Sequence, residues 1–134
     1  MANTRLTVVV RKDLQMPEGL LAAQVCHMAD AFMRDKIEKA VRKSPKSQVS
    51  SIFTKEEAEW MSDPYISILA VNTYEDLCEI TKHAEREGLP LFEWNDLVPS
   101  PTIENEAIKA FVGVAIGPAD FDAIKIVTGA LKSY

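Results

Sequence analysis

Gln24 and His27 stand three residues apart, with Leu20 one turn before them; on a helix this i, i+4, i+7 spacing aligns all three along one stripe. An amide and an imidazole there, with a leucine at the tip, make an unusual surface for solvation alone. The amide and the imidazole each donate and accept hydrogen bonds, so the stripe suits a polar ligand; a satisfied structural histidine is the competing reading. The start of such a helix also presents unpaired backbone N–H groups and a positive dipole end, which favour a phosphate or a developing oxyanion. Further along, Arg34, Lys36, Lys39, Arg42, Lys43 and Lys46 crowd one segment while most acids lie elsewhere. That cluster is either a phosphate-contacting ridge or a solvated helix face running into a loop. Cys26 and Cys78 lack C-x-x-C spacing and read as two free thiols of a reducing cytosol. Cys26 and His27 make a poor metal pair, because adjacent helical residues diverge by about 100° and no further Cys/His cluster completes a ligand set. Neither a metal nor a cofactor is expected.

The elements that must position these residues follow from periodicity. Leu6–Val10 is short and β-branched, as a buried strand should be. Arg11–Gly19 is a polar connection containing Pro17. From Leu20, the repeat Leu21, Val25, Met28, Phe32 marks the core face of a long helix that weakens through Ile37 and Val41 and stops at Ser44-Pro45. Residues 44–51 read as a mobile loop. Thr54-Lys55-Glu56-Glu57 is a capping box, predicting a short helix through Trp60, which Pro64 ends. Tyr65–Val71 is a second strand, read as buried on both faces. Thr73 opens a third helix with Leu77, Ile80 and Ala84 inward and Gly88 as its stop. Leu91–Trp94 is a short strand, Asn95–Glu106 a loop, and Ala110–Ile116 a strand ended by Gly117-Pro118. Asp120 caps a last helix that turns Phe121, Ile124, Val127 and Leu131 inward.

This order implies one domain over residues 1–134, an α/β fold of three α/β/α layers around a four-stranded, mixed, mostly parallel sheet. The last two strands lack an intervening helix, so one of them should be antiparallel. Ligands in open α/β sheets bind beyond the carboxyl ends of strands, which points to Arg11–Gly19, the first helix start and the Asn95–Glu106 loop. A chain of 134 residues, 47% hydrophobic and 26% charged, is enough for one real core. No stretch nears the roughly 20 apolar residues needed to cross a bilayer, and the N-terminus lacks a secretory signal's organisation, so a cytoplasmic protein is expected. The net charge of −5 argues against coating nucleic acid by bulk electrostatics but leaves room for a local basic patch.

The run Val8-Val9-Val10-Arg11-Lys12-Asp13-Leu14-Gln15-Met16-Pro17-Glu18-Gly19-Leu20-Leu21-Ala22-Ala23-Gln24-Val25-Cys26-His27 resembles the opening signature of the type II peptidyl-tRNA hydrolases, V-V-R-x-D-L, a Met, then G-K-x-A-A-Q-x-x-H. Val114-Ala115-Ile116-Gly117-Pro118 and the segment Ile124–Tyr134 resemble that family's closing strand and helix, so the likeness covers about Leu6–Phe32 and Tyr65–Tyr134. The resemblance implies a metal-independent hydrolase that cleaves the ester joining a peptide to the terminal ribose of tRNA, often as a homodimer. It implies an active surface built from a lysine and a glutamine on the first helix, an aspartate in a D-A-G-x-T loop, and nearby hydroxyls.

Residue by residue, Arg11, Asp13, Gly19, Gln24 and His27 match the pattern. Leu20 stands where the lysine is expected, and leucine can neither donate a hydrogen bond nor offset negative charge. Losing one such donor at an ester-cleaving site costs about 3 kcal/mol of barrier, roughly a hundredfold in rate. The D-A-G-x-T loop is absent as such. Counting back from Gly117-Pro118 with a four-residue insertion puts Asp96 at the aspartate and Ser100 at the first threonine, with Thr102 competing; Val112 takes the place of a second threonine. On this reading Gln24, Asp96, His27 and Ser100 are catalytic candidates. Arg11, Lys12, Asp13, Gly19, Leu20, Thr102, Lys36, Lys39, Arg42 and Lys43 are candidates to bind peptidyl-tRNA, and Arg11 or Lys12 to supply the missing charge. The alternative is a binding module for tRNA, protein or a small ligand on the same fold. The hydrolase reading requires Gln24 and His27 to meet Asp96 in a solvent-facing hollow.

Overall fold

The computed structural model describes residues 3–43 and 52–134, the side chain of Lys43 excepted. The expected loop at 44–51 lies outside the described residues. Along the chain come β1 (Thr4–Arg11), α1 (Glu18–Lys43), α2 (Lys55–Ser62), β2 (Ile66–Val71), α3 (Tyr74–Arg86), β3 (Leu91–Pro99), β4 (Ala107–Asp120), α4 (Phe121–Thr128) and β5 (Lys132–Ser133).

The sheet has five strands in the order β3-β4-β1-β2-β5. Central β1 alternates its side chains between two cores. Leu6, Val8 and Val10 point into one with Val25, Met28, Phe32 and Trp60 from α1 and α2, while Val9 joins Leu77, Ala84, Ile124 and Val127 of α3 and α4. The three layers of the sequence reading are therefore present. Each fully buried valine of β1 contributes on the order of 1.5–3 kcal/mol, which fixes the register that places Arg11 and the following turn.

The pairing differs from the expectation of a four-stranded, mostly parallel sheet. Only β1–β2 is parallel among the described pairs; β1–β4, β2–β5 and β3–β4 are antiparallel. The helical crossover through α1 and α2 returns the chain parallel, whereas a short connection between β3 and β4 can only make a hairpin. That hairpin also overturns the loop expected at Asn95–Glu106: β3 runs on through Asn95, Asp96 and Leu97 to Pro99, paired with Ala107–Phe111. Likewise β4 does not end at Gly117-Pro118 but continues to Asp120, where it pairs with Thr4. β2 is not buried on both faces; Ile66 and Ile68, on the same side of the sheet as Leu6 and Val8, stay 40% and 38% exposed.

Local signals hold where the chemistry is local. Thr54 accepts from the Glu57 N–H at 3.1 Å and its own N–H donates to Glu57 Oε1 at 2.7 Å, completing the capping box of α2. Glu57 also receives Lys36, tying α2 to α1. No helix among the described residues is long and apolar enough to cross a membrane.

Candidate active site

The turn after β1 is pinned by its apolar residues. Leu14 and Met16 are buried in the α1-side core, and Gln15 takes a positive φ of 51° between them. α1 then starts at Glu18 and lays its buried face over β1, β4 and β3. Gln24 lies at the border of that face, 2% exposed, whereas His27 one turn later is exposed.

On β3, Trp94 and Asp96 are two apart and reach toward α1 together. The Gln24 amide nitrogen donates to Asp96 Oδ2 at 2.9 Å, and the Trp94 indole N–H donates to Gln24 Oε1. Asp96 Oδ1 accepts the Leu97 N–H at 2.8 Å. The donors from Gln24 and Leu97, helped by the nearby His27, hold the Asp96 carboxyl below its ordinary value of 3.8 against the opposing effect of burial. The His27 ring stacks on Trp94, centroids 5.2 Å apart and planes 17° from parallel. Arg34 donates to the His27 carbonyl at 2.8 Å, pairs with Asp30 at 2.7 Å, and sits 5.9 Å from the Trp94 ring centre.

Sequence reasoning thus names Gln24, His27 and Asp96, and the fold brings these three together; it differs in that Gln24 is buried and bridging, not solvent-facing. Trp94 carries no role in that reading, because a strand residue's partner across the layer leaves no local signal. Arg34 does leave one, since it continues the stripe at i+7 from His27.

The other candidates scatter. Leu20 packs half-buried against the α1-side core, and a Cβ on exposed Gly19 would meet nothing within 4 Å. Arg11 binds Asp13 at 2.8 and 3.0 Å and the Phe111 carbonyl at 3.3 Å, and lies 5.5 Å from the Tyr74 ring centre. Its contacts with Tyr74 and Phe111 commit it to the α3 side of the sheet, away from Asp96. Lys12 lines a cleft of about 390 Å³ with Asn72, Asp76, Glu79 and Lys132 that includes none of Gln24, His27 or Asp96. Neither cation therefore replaces the one absent at Leu20, and no lysine or arginine among the described residues forms an ion pair with Asp96. Ser100 and Thr102, 3.4 Å apart, build the hairpin turn; the Ser100 hydroxyl accepts the Ile103 N–H at 3.0 Å. Four extended residues separate Ser100 from Asp96 by roughly 13 Å. Val112 is fully buried in the core. Lys36, Lys39 and Arg42 pair with Glu57, Asp35 and Glu38. Lys39 lies roughly 22 Å along α1 from Gln24, and the Lys43 side chain is outside the described residues.

A family model described as "Peptidyl-tRNA hydrolase PTH2" matches residues 4–134. Relatives named peptidyl-tRNA hydrolase include one from Methanococcus maripaludis strain C6, 34% identical over 93% of this chain and 94% of its own. Others come from Methanocaldococcus jannaschii, 31% identical over 96% and 97%, and Haloquadratum walsbyi, 29% identical over 95% and 96%. With the opening signature, the three-layer fold and a family match that spans β1 to the C-terminal residue, the chain belongs to the peptidyl-tRNA hydrolase PTH2 family.

Proposed function

We propose that this protein is a cytoplasmic hydrolase that cleaves the ester between a peptide, or an acylated amino acid, and tRNA. The observation that carries the reading is the bond from Gln24 to Asp96, which joins the helix glutamine that matches the family pattern to the aspartate placed by counting back from Gly117-Pro118. Asp96 keeps lone pairs free for a water beside the two donors it accepts. Its carboxylate orients that water and takes its proton as the oxygen attacks the ester carbonyl. A lowered proton affinity makes it a weak base, so orientation is its larger contribution. Free N–H groups in the first turn of α1 receive the oxyanion, and the bond to the ribose oxygen breaks as that oxygen takes up the proton that Asp96 received from the water. Arg34 beside the His27–Trp94 stack, with Lys36, Lys39, Arg42 and Lys43 further along α1, serves the tRNA phosphates. Gly19 takes part through its first-turn N–H, whereas Arg11, Lys12, Asp13, Ser100 and Thr102 are peripheral to the reaction. The protein acts as a homodimer, a reading supported by the exposed apolar edge at Tyr65, Ile66 and Ile68; sedimentation that shows only monomer at micromolar concentration excludes it. Incubation with diacetyl-lysyl-tRNA tests the activity, and release of acylated lysine faster than in buffer is expected.

A second reading, a binding module without catalysis, is favoured by one observation: Leu20 leaves the helix tip without a cation. Leu20→Lys separates the two. An intact site lacking only this charge accelerates, by up to about a hundredfold; a cleft turned to another use does not.

A further inference from the structure

The geometry points to Trp94 as the positioning residue of this site: its indole N–H sets the orientation of the Gln24 amide and, through it, the state of Asp96. An indole nitrogen can only donate and a carboxylate can only accept. A group bridging the two must accept at one end and donate at the other, and among side chains of this length the glutamine amide does so. With Trp94 on Oε1, the amide nitrogen has one direction left, toward Asp96 Oδ2 at 2.9 Å. Gln24 is 2% exposed, and each end of its amide has a protein partner. The other face of the argument is the stack. His27 lies against the Trp94 ring at 5.2 Å, which holds the indole plane and hence the direction of its N–H.

The groups around Asp96 are few. His27 on α1 favours the carboxylate, the Arg34–Asp30 pair lies beyond Trp94, and across the strand Asp96 faces uncharged Ala110 with Lys109 next to it. Without the indole donor the amide can turn its oxygen to Asp96, where two acceptors repel and protonation becomes favourable. Trp94→Phe keeps an aromatic six-membered ring beside His27 and removes the N–H donor together with the rest of the five-membered ring.

The role rests on the hydrolase reading for its kinetic consequence but not for its physical one, so two measurements are needed. In the wild-type protein, the Trp94 indole proton should shift with the same NMR midpoint as the Asp96 carboxyl carbon, while the Trp60 indole, bound to the Tyr65 carbonyl at 2.9 Å, stays flat. In Trp94→Phe, the Asp96 midpoint should rise toward the ordinary carboxylate value. There kcat should fall roughly tenfold at unchanged KM, with the acid limb of the rate profile moved to higher pH. A Trp94 indole that ignores Asp96 ionisation, or an Asp96 midpoint unmoved by Trp94→Phe, overturns the assignment. A wild-type protein that cleaves no ester sinks the hydrolase reading instead, and the two titrations still decide the role of Trp94.

Discussion

Asp96 owes its character to its neighbours, which makes pH the first probe of the site. Its carboxyl sits below 3.8 in the folded protein and near that value unfolded. The unfolded state therefore binds the proton more tightly. The stabilisation is complete above pH 3.8 and is lost as pH falls through the folded midpoint. Acid unfolding followed by circular dichroism should show this component in the wild type and lose it in Asp96→Asn. Gln24→Ala leaves the half-buried Trp94 N–H without its partner and opens a gap where the buried glutamine sat, and should cost about 1–3 kcal/mol in urea unfolding. Gln24 and His27 were legible from the sequence because helical spacing is local information. Asp96 needed the family resemblance, since its nearest signal was a count from Gly117-Pro118. Trp94 was not legible, because its partner lies seventy residues away in the chain.

Elements were readable in proportion to how locally they are stabilised. The helices carry their own caps and stripes, and Thr54→Ala should cost about 1 kcal/mol of thermal stability through the lost cap. The hairpin was misread for the opposite reason. Asn95, Asp96 and Pro99 are poor strand formers, and β3 extends through them because β4 offers its backbone across the whole length. The bulge between Trp94 and Asn95, where Val112 has no opposite number, lies beside the Gln24 contact. Gly113 marks how closely that region is packed. A Cβ there would come within 2.5 Å of the Val9 carbonyl oxygen and 3.0 Å of the Met28 sulfur. Gly113→Ala should destabilise by about 1–3 kcal/mol, visible as a lower denaturant midpoint, because backbone cannot give way as a flexible side chain does.

At the scale of the whole molecule, a net charge of −5 means that the proposed contact with tRNA relies on a local basic face and not on the overall charge. The sequence made the α1 cations visible but not their neutralisation by Asp30, Asp35 and Glu38 one turn away, and exposed pairs of this kind are weak enough to be exchanged for phosphates. Lys39→Ala with Arg42→Ala should weaken tRNA binding and reduce the slope of log affinity against log salt by about one per lost contact. An unchanged slope places the tRNA elsewhere. The pairing of Gln24 with Asp96 as an ester-cleaving unit is tested most directly by single-turnover cleavage of an N-acylated aminoacyl-tRNA by the wild type and by Asp96→Asn. We expect a wild-type rate above buffer and a fall of about a hundredfold or more in the variant. Equal rates in the two proteins, or a wild type no faster than buffer, would contradict it.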